Sequence, residues 1–285
     1  MAFTERIVQS PESLTKRPKG VATLRSMNII ALFCLCCVTS FSHAAESVFI
    51  EELTWPEIRD AIVAGKTTAI VYAGSTEQNG PHMVTGKHNL VARYVANGIA
   101  RKLGNALVYP IVPFAPTGDP ETKTGHMRFP GSISVADSTY AAVLRDMAMS
   151  ARAAGFKAVF LMADHGQGQQ VLEREAQDLD RQWSSKGVRI FYIGDLYYRS
   201  AELAANDLSE SGLRDGDHAG IIDTSELLFI DKKRVAVRSK RITKGEDING
   251  VNGDPRSSSR ERGRRFIGFK IESAVAQIRR LSGTQ

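Results

Sequence analysis

Cysteine is scarce in this chain of 285 residues, and its three copies all lie in one apolar run near the N-terminus, at Cys34, Cys36 and Cys37. Loss of that run with a leader segment would leave no thiol, which would exclude disulfides, thiolate metal ligands and a cysteine nucleophile. A large excess of one charge is also lacking, because 37 basic residues face 31 acidic ones. Nucleic-acid binding is therefore not predicted, since that function normally needs a concentrated basic surface.

Residues 27–44 have the parts of a secretory signal peptide. Basic residues precede an apolar run from Ile29 to Val38, and Ser42-His43-Ala44 places small residues where a signal peptidase reads the chain. The apolar run is too short to span a bilayer as a helix of the mature protein. An uncleaved N-terminal anchor is the alternative interpretation.

Cleavage after Ala44 would remove five basic and two acidic residues and leave a net charge of +3. We predict that residues 1–44 form a signal peptide region and that residues 45–285 form a single domain. The mature protein is then expected in the periplasm, without stable membrane insertion. Met27 is an alternative start to Met1, because the residues between them add only polar and basic sequence.

Short apolar stretches alternate with helical patterns along the rest of the chain. Strands are predicted at 68–74, 106–113, 157–163 and 188–195, and helices at 89–104, 137–155, 167–187, 217–229 and 257–281. Asp137 is the expected N-cap of its helix, and Gly104, Gly155 and Gly187 are expected to end theirs. This alternation predicts an α/β fold with a mainly parallel β-sheet core flanked by helices on both faces.

The stretch GSTEQNGPHMVTGKHN, from Gly74 to Asn89, holds one Glu, two His, three Gly and a Pro, with almost nothing apolar to bury. It follows the first predicted strand, and Asp164-His165-Gly166 follows the third. In parallel sheets, ligands bind beyond the carboxyl ends of the strands. Both polar stretches are therefore expected on the ligand-binding rim.

Five histidines remain beyond residue 44, each in a predicted loop or at the end of an element: His82, His88, His126, His165 and His218. A lone loop histidine is more often a surface residue than a ligand, so convergence is the decisive property. Glu77, His88 and His165 all belong to the two rim stretches. Two imidazoles and one carboxylate form a ligand set that suits Zn, Mn or Fe.

Five motifs, in order, resemble those of the creatininase (creatinine amidohydrolase) family of metal-dependent amide hydrolases. GSTEQNGPH is similar to the family pattern GSxEQHGPH, HMRFPGSIS at 126–134 to HxxFPGTIS, and DHG at 164–166 to the start of NGHGGN. HAGIIDTS at 218–225 is similar to HAGxxETS, and GVNGDP at 250–255 with the later ERGRR to GVxGDPxxAxxExGRR. The resemblance implies a creatininase-like fold, a small-molecule amide substrate and a homo-oligomer, hexameric by family analogy.

The residues at the family's metal positions differ in this chain. The resemblance implies a two-metal site with Glu, His, a bridging Asp, His and Glu, where this chain has Glu77, Asn79, His88, His165 and Gln167. A neutral imidazole cannot bridge two cations, and the amides of Asn79 and Gln167 bind transition metals poorly. We therefore predict one divalent ion per subunit, Zn or Mn, held by Glu77, His88 and His165. A second metal is not expected, and a site with no metal or with two remains the alternative.

Further roles follow from the same resemblance. His218 matches the histidine that carries a proton in creatininase, and Asp223 replaces a family Glu and is expected to orient it. His82 and His126 are expected to fix loops around the centre. Asp164 is expected to fix the ring tautomer of His165.

The predicted function is therefore that of an exported, metal-dependent amidohydrolase acting on the C–N bond of an amide or cyclic amide. The alternative is a non-catalytic periplasmic binding protein that keeps the creatininase fold and has lost its metal pair. The metal content of the purified protein, together with amidase activity, distinguishes these two functions.

Overall fold

In the computed structural model, residues 47–245 and 249–283 are described. They belong to one compact unit, Ala45–Gln285. The predicted signal peptide region lies outside the described residues, so its role stays a prediction. Among the described helices, none combines the length and the apolar character needed to cross a membrane.

The described part of this unit contains four strands and seven α-helices. The strands are β1 (Thr68–Ala73), β2 (Ala106–Val108), β3 (Ala158–Ala163) and β4 (Arg189–Tyr192). The helices are α1 (Trp55–Val63), α2 (Lys87–Leu103), α3 (Asp137–Ala154), α4 (Gln169–Trp183), α5 (Tyr198–Glu210), α6 (Ile221–Ile230) and α7 (Arg260–Ser282).

The strands form one parallel sheet in the order β2-β1-β3-β4. Strands β1 and β3 are adjacent and paired along their full length, from Thr68 opposite Ala158 to Ala73 opposite Ala163. The carboxyl ends of these two central strands therefore lie side by side. The loops that leave them start at neighbouring points of the same sheet edge.

Successive side chains of β1 enter two separate hydrophobic cores, one on each face of the sheet. Ala69 and Val71 pack with residues of α1, α3 and α4. Ile70 and Tyr72 pack with residues of α2 and α7. This period of two is the geometry of a strand that is buried on both sides, and it confirms the predicted α/β fold with helices on both faces.

The predicted elements are present, with differences at their ends. β2 ends at Val108, earlier than predicted, because Pro110 cannot donate a hydrogen bond to a ladder. Gly104 and Gly155 end α2 and α3 in the left-handed conformation, as predicted. Asp137 is the first residue of α3 and not its cap.

Helices α1 and α5 were not predicted from the sequence, and α4 is shorter than predicted. α4 stops at Trp183, and a short 3-10 turn over Ser184–Lys186 continues to Gly187. α1 begins with a capping box formed by Thr54 and Glu57. This pattern of residues predicts the start of a helix from sequence alone. α5 follows β4 after a single 3-10 turn and has no comparable side-chain cap.

Candidate metal centre

Glu77, His88 and His165 meet at the carboxyl edge of the sheet. Glu77 lies in the loop after β1, His88 in the first turn of α2, and His165 two residues after β3. His88 Nε2 is 3.0 Å from Glu77 Oε1, and His165 Nε2 is 2.8 Å from Glu77 Oε2. All three side chains are buried, and one ligand atom of each lies within 4.8 Å of the others. The structure thus brings together the three residues predicted to bind a metal.

The carboxylate of Glu77 tests whether these residues fit a cation. Its Oε2 atom is buried and has no hydrogen bond of good geometry, although His165 Nε2 is 2.8 Å away. Burial would raise the pKa of Glu77, but the adjacent His165 and His88 rings hold it well below its ordinary value. A buried oxygen without a hydrogen bond is costly, and a divalent ion would satisfy Oε2 together with both imidazoles. The residues therefore fit Zn or Mn.

Acceptors behind the two rings determine which nitrogen faces Glu77. His88 Nδ1 donates to Asp164 Oδ2 at 2.7 Å, and His165 Nδ1 donates to the carbonyl oxygen of Gln167 at 3.2 Å. Each ring can therefore present the lone pair of Nε2 to an ion. The structure corrects one expectation, because Asp164 holds His88 and not His165. The Asp164 carboxylate is directed towards α2, and the ring of His165 is held instead by the backbone oxygen of Gln167.

A buried ion cluster supports Asp164 from α7. Lys270 Nζ lies 2.6 Å from Asp164 Oδ1 and 3.3 Å from Glu226 Oε2. Burial would raise the pKa of Asp164, but Lys270 and the hydrogen bond from His88 lower it to about 2. Burial raises the pKa of Glu226 to about 7, against the opposing effect of Lys270. Lys270 thus stabilises mainly the ionised form of Asp164, so a negatively charged carboxylate lies behind His88.

Two further histidines approach Glu77. His218 Nδ1 is 3.8 Å from Glu77 Oε1, and His126 Nε2 is 3.7 Å from Glu77 Oε2. The centroids of these two rings are 4.3 Å apart. Glu77, His126 and His218 form a second group whose ligand atoms lie within 4.8 Å of one another. His126 was expected only to fix a loop, but the 3-10 turn Gly125–Arg128 carries its ring to the wall of the central cavity.

Asp223 has partners other than His218. Its Oδ1 lies 2.7 Å from Nζ of Lys87, a fully buried lysine, and its Oδ2 accepts the Ala219 N–H at 2.8 Å. The Nε2 atom of His218 donates instead to the carbonyl oxygen of Gln78 at 2.9 Å. The expectation that Asp223 orients His218 is therefore corrected. The sequence analysis missed both Lys87 and Gln78 as partners, since neither pairing follows from spacing along the chain.

His218 is neutral near pH 7. Burial and the nearby charge of Lys87 lower its pKa to about 4. Because Nε2 donates to a carbonyl oxygen, which can only accept, the lone pair of the neutral ring is on Nδ1. That atom faces Glu77, so the ring can accept a proton from a group in the cavity.

The remaining predicted residues have structural surroundings. Asn79 is buried and its Nδ2 donates to the carbonyl oxygen of Glu77 at 2.9 Å, so it shapes the loop backbone. Gln167 is exposed at the rim of the cavity. His82 is buried, and its Nε2 lies 2.9 Å from the hydroxyl of Thr224, which fits the expected loop-fixing role.

A cavity of about 800 Å³ opens beside both histidine groups. Its wall includes the site residues Glu77, Lys87, His88, His126, His165 and His218. This volume is within the range of small-molecule sites in proteins. The cavity therefore offers the two histidine groups a common volume in which to meet one ligand.

The family model described as "Creatininase: Creatinine amidohydrolase" matches residues 51–278. The chain belongs to the creatininase family. A creatinine amidohydrolase of Pseudomonas putida is 23% identical over 255 residues, which cover 82% of this chain and 97% of that protein. A mycofactocin precursor peptide peptidase of Mycobacterium ulcerans (strain Agy99) is also 23% identical over 255 residues, covering 80% of this chain and 86% of that protein.

Solved creatininases have the same fold. The structure named "Creatininase Mn" has a TM-score of 0.70 at 22% identity and covers 82% of this chain and 98% of its own. A mutant creatininase of the Zn-Zn type has a TM-score of 0.70 at 22% identity and covers 83% and 98%. At this identity the likeness shows the fold, and the names show that creatininases carry Mn or Zn. This chain is thus a member of a family of metal-dependent hydrolases and has candidate metal-binding groups of its own.

Proposed function

We propose that this protein is an exported hydrolase that cleaves the C–N bond of an amide or cyclic amide with one Zn or Mn ion. The observation that best supports this proposal is that Glu77, His88 and His165 are buried and close together, and that Glu77 Oε2 lacks a hydrogen bond. The two curated relatives are named as an amidohydrolase and a peptidase. Both names denote hydrolysis of a C–N bond, so we assign that bond type to this protein and leave its substrate open between them.

Each residue of the site has a chemical role in this proposal. A divalent ion bound by Glu77, His88 and His165 supplies Lewis-acid catalysis. His218 is neutral, and its Nδ1 accepts a proton from water and returns it to the leaving nitrogen. The carbonyl of Gln78 holds the ring of His218 in the tautomer that this transfer needs.

Three substitutions and one buried lysine favour a single ion. Asn79 and Gln167 stand where the family pattern has charged or imidazole ligands, and His88 replaces the bridging carboxylate. Lys87 places a buried positive charge next to His88, and Asp223 pairs with this charge at 2.7 Å. The part of this charge that Asp223 does not balance would repel a second cation near the same position.

Export and assembly complete the proposal. The signal peptide pattern of residues 27–44 supports cleavage after Ala44 and a periplasmic location. Assembly into a homo-oligomer is proposed by family analogy alone. The competing function, a binding protein without metal, is favoured by the loss of ligand character at Asn79 and Gln167.

Metal content tests the proposal directly. Protein purified without chelator is expected to hold one Zn or Mn per chain by mass spectrometry, and His88→Ala should lose most of it, because two ligands form a weak site. His218→Ala is the matched control, which should keep the ion and lose turnover on a panel of cyclic amides and short peptides. Wild-type protein that holds no ion, and whose melting temperature added Zn or Mn does not raise, would reject the hydrolase in favour of the binding protein.

A further inference from the structure

Gln78 lies between the two histidines that approach Glu77 from the cavity side. Its backbone carbonyl accepts the hydrogen bond from His218, and its side-chain Nε2 lies 3.0 Å from Nδ1 of His126. The residue is buried, with 8% of its surface exposed. One residue therefore contacts both rings of the Glu77–His126–His218 group.

The orientation of the Gln78 amide is fixed by Gly80. The Gly80 N–H donates to Gln78 Oε1 at 2.9 Å, so this oxygen atom is on the side of the loop backbone. The amide NH₂ consequently faces His126. Gly80 adopts a φ of +66°, which favours glycine and allows the N–H to turn back towards the side chain.

Close packing prevents the amide from moving away. A Cβ atom at Gly250 would lie 2.3 Å from Gln78 Oε1, so the bare backbone of Gly250 accommodates the amide group. Gly250 belongs to the GVNGDP segment, which contributes no residue to the candidate metal groups found among the described residues. This contact gives that segment a role at the centre.

The Gln78 amide determines the tautomer of His126. An NH₂ group can only donate, so Nδ1 of His126 must carry a lone pair, and the proton of the ring is on Nε2. That N–H faces Glu77 Oε2 at 3.7 Å. In His218 the opposite arrangement holds, because its Nε2 donates to a carbonyl and its Nδ1 carries the lone pair. Adjacent rings thus offer the cavity one donor and one acceptor.

We propose that Gln78 is a positioning residue that fixes His126 as a hydrogen-bond donor to the carbonyl oxygen of an amide ligand. The same constraint keeps the Glu77–His126–His218 group from taking a second cation, because a metal ligand needs a lone pair on the nitrogen that faces the ion. If the proton of His126 moved to Nδ1, this N–H would face the NH₂ group of Gln78, and two donors would point at each other. The assignment of an amide oxygen as the ligand rests on the proposed function, whereas the tautomer and the metal count do not.

The tautomer is measured in the wild-type protein, so this test does not depend on how a variant folds. Two-bond ¹H–¹⁵N spectra of the chelator-treated mature protein, assigned with His126→Phe, are expected to show His126 protonated at Nε2. The buried His82 ring, which contacts Thr224, provides an internal reference. A proton on Nδ1 of His126 would overturn the proposal.

A variant at position 78 tests the metal count. In Gln78→Glu a carboxylate accepts from Nδ1, which moves the lone pair of His126 to Nε2 and completes the second ligand group. The bound Zn is expected to rise by one ion per chain relative to wild type, and Gln78→Glu combined with His126→Phe should return to the wild-type value. A wild-type protein that loads two ions, or a Gln78→Glu variant that gains none, would overturn the proposal.

Acetamide serves as the probe for the donor role. Titration of acetamide into the wild-type protein as purified is expected to shift the Nε2–H resonance of His126 and to leave that of His82 in place. Equal responses of the two rings, or none, would contradict a donor role for His126. Failure to find any hydrolysable amide would reject the proposed function and leave the measurements of the tautomer and the metal count valid.

Discussion

Asp164 accepts a hydrogen bond from Nδ1 of His88 at 2.7 Å, although the two residues are 76 positions apart in the chain. The contact joins the residue after β3 to the first turn of α2. Because β1 and β3 are neighbours in register, both segments start from the same point of the sheet edge. The orientation of one candidate metal ligand is thus set by the adjacency of two strands.

Asp164→Asn is expected to weaken the centre while keeping its ligands. The amide oxygen can still accept from His88, but Lys270 loses the carboxylate that neutralises it. We expect Zn affinity to fall roughly 10- to 100-fold, and the free energy of unfolding to fall by about 3 kcal/mol, because a buried cation is left poorly paired. Competition with a chelator and urea denaturation measure the two effects.

Glu226→Gln is the matched control for that variant. It removes the second carboxylate beside Lys270 and leaves the Asp164–Lys270 pair intact. Zn affinity should stay within a few-fold of wild type. An equal loss of affinity in both variants would show that the His88–Asp164 bond is not what orients the ligand.

Asp215 is expected to make stability depend on pH. Burial and the neighbouring Asp223 raise its pKa to about 7, whereas the unfolded chain has the ordinary value of 3.8. Between pH 3.8 and about pH 7, Asp215 is protonated in the folded state and ionised in the unfolded state. The free energy of unfolding therefore falls as pH rises. The slope from this one group is about 1.4 kcal/mol per pH unit.

Asp215→Asn should remove that slope, because the amide oxygen still accepts the Ile222 N–H but does not ionise. Relative to wild type, the variant is expected to gain about 2 kcal/mol of unfolding free energy between pH 5 and pH 7. Urea denaturation of chelator-treated protein at both pH values measures the gain. Asp217→Asn, at an exposed neighbour, should show no such gain.

At the family's own second metal position, a metal should bind only when the bridge is rebuilt. Asn79→His alone is expected to leave the ion count unchanged, since His88 still cannot bridge. Asn79→His, His88→Asp and Gln167→Glu together restore the family ligand set, and Lys87→Thr in addition removes the buried charge that opposes a second cation. Elemental analysis should therefore give the highest metal content for the fourfold variant. Two ions per chain in the Asn79→His variant would refute the bridging argument.

Export predicts a shortened N-terminus. Protein recovered from the periplasm of a Gram-negative expression host should begin at or near Ala45 on N-terminal sequencing. Replacement of Ala44 by a bulky residue, Ala44→Trp, should block cleavage and retain the longer chain, because signal peptidase needs a small residue there. Intact protein found only in the cytosol would contradict export.

Much of the fold could be read from local patterns. Continuous apolar runs such as 157–163 and the left-handed glycines Gly104 and Gly155 marked the elements. The same reading brought Glu77, His88 and His165 to one edge, because parallel strands put the loops after them at the same end of the sheet. These inferences need only the order of elements along the chain.

The supporting contacts could not be predicted in the same way. Lys270 reaches Asp164 only because α7 packs across the sheet face that also carries α2, and Lys87 reaches Asp223 only because α6 packs near the start of α2. Such pairings depend on the relative placement of whole helices and on side-chain direction. For the same reason Asp164 was assigned to its sequence neighbour His165 and not to His88.

The ion pair between Lys270 and Asp164 sets an order of events in biosynthesis. Lys270 follows Asp164 by 106 residues, so the ribosome has made every candidate metal ligand long before it makes the lysine that balances the support of His88. A chain truncated before α7 would carry Glu77, His88 and His165 but would leave Asp164 without its cation. The ion pair that supports His88 therefore forms only after α7 has been made, later than every candidate metal ligand.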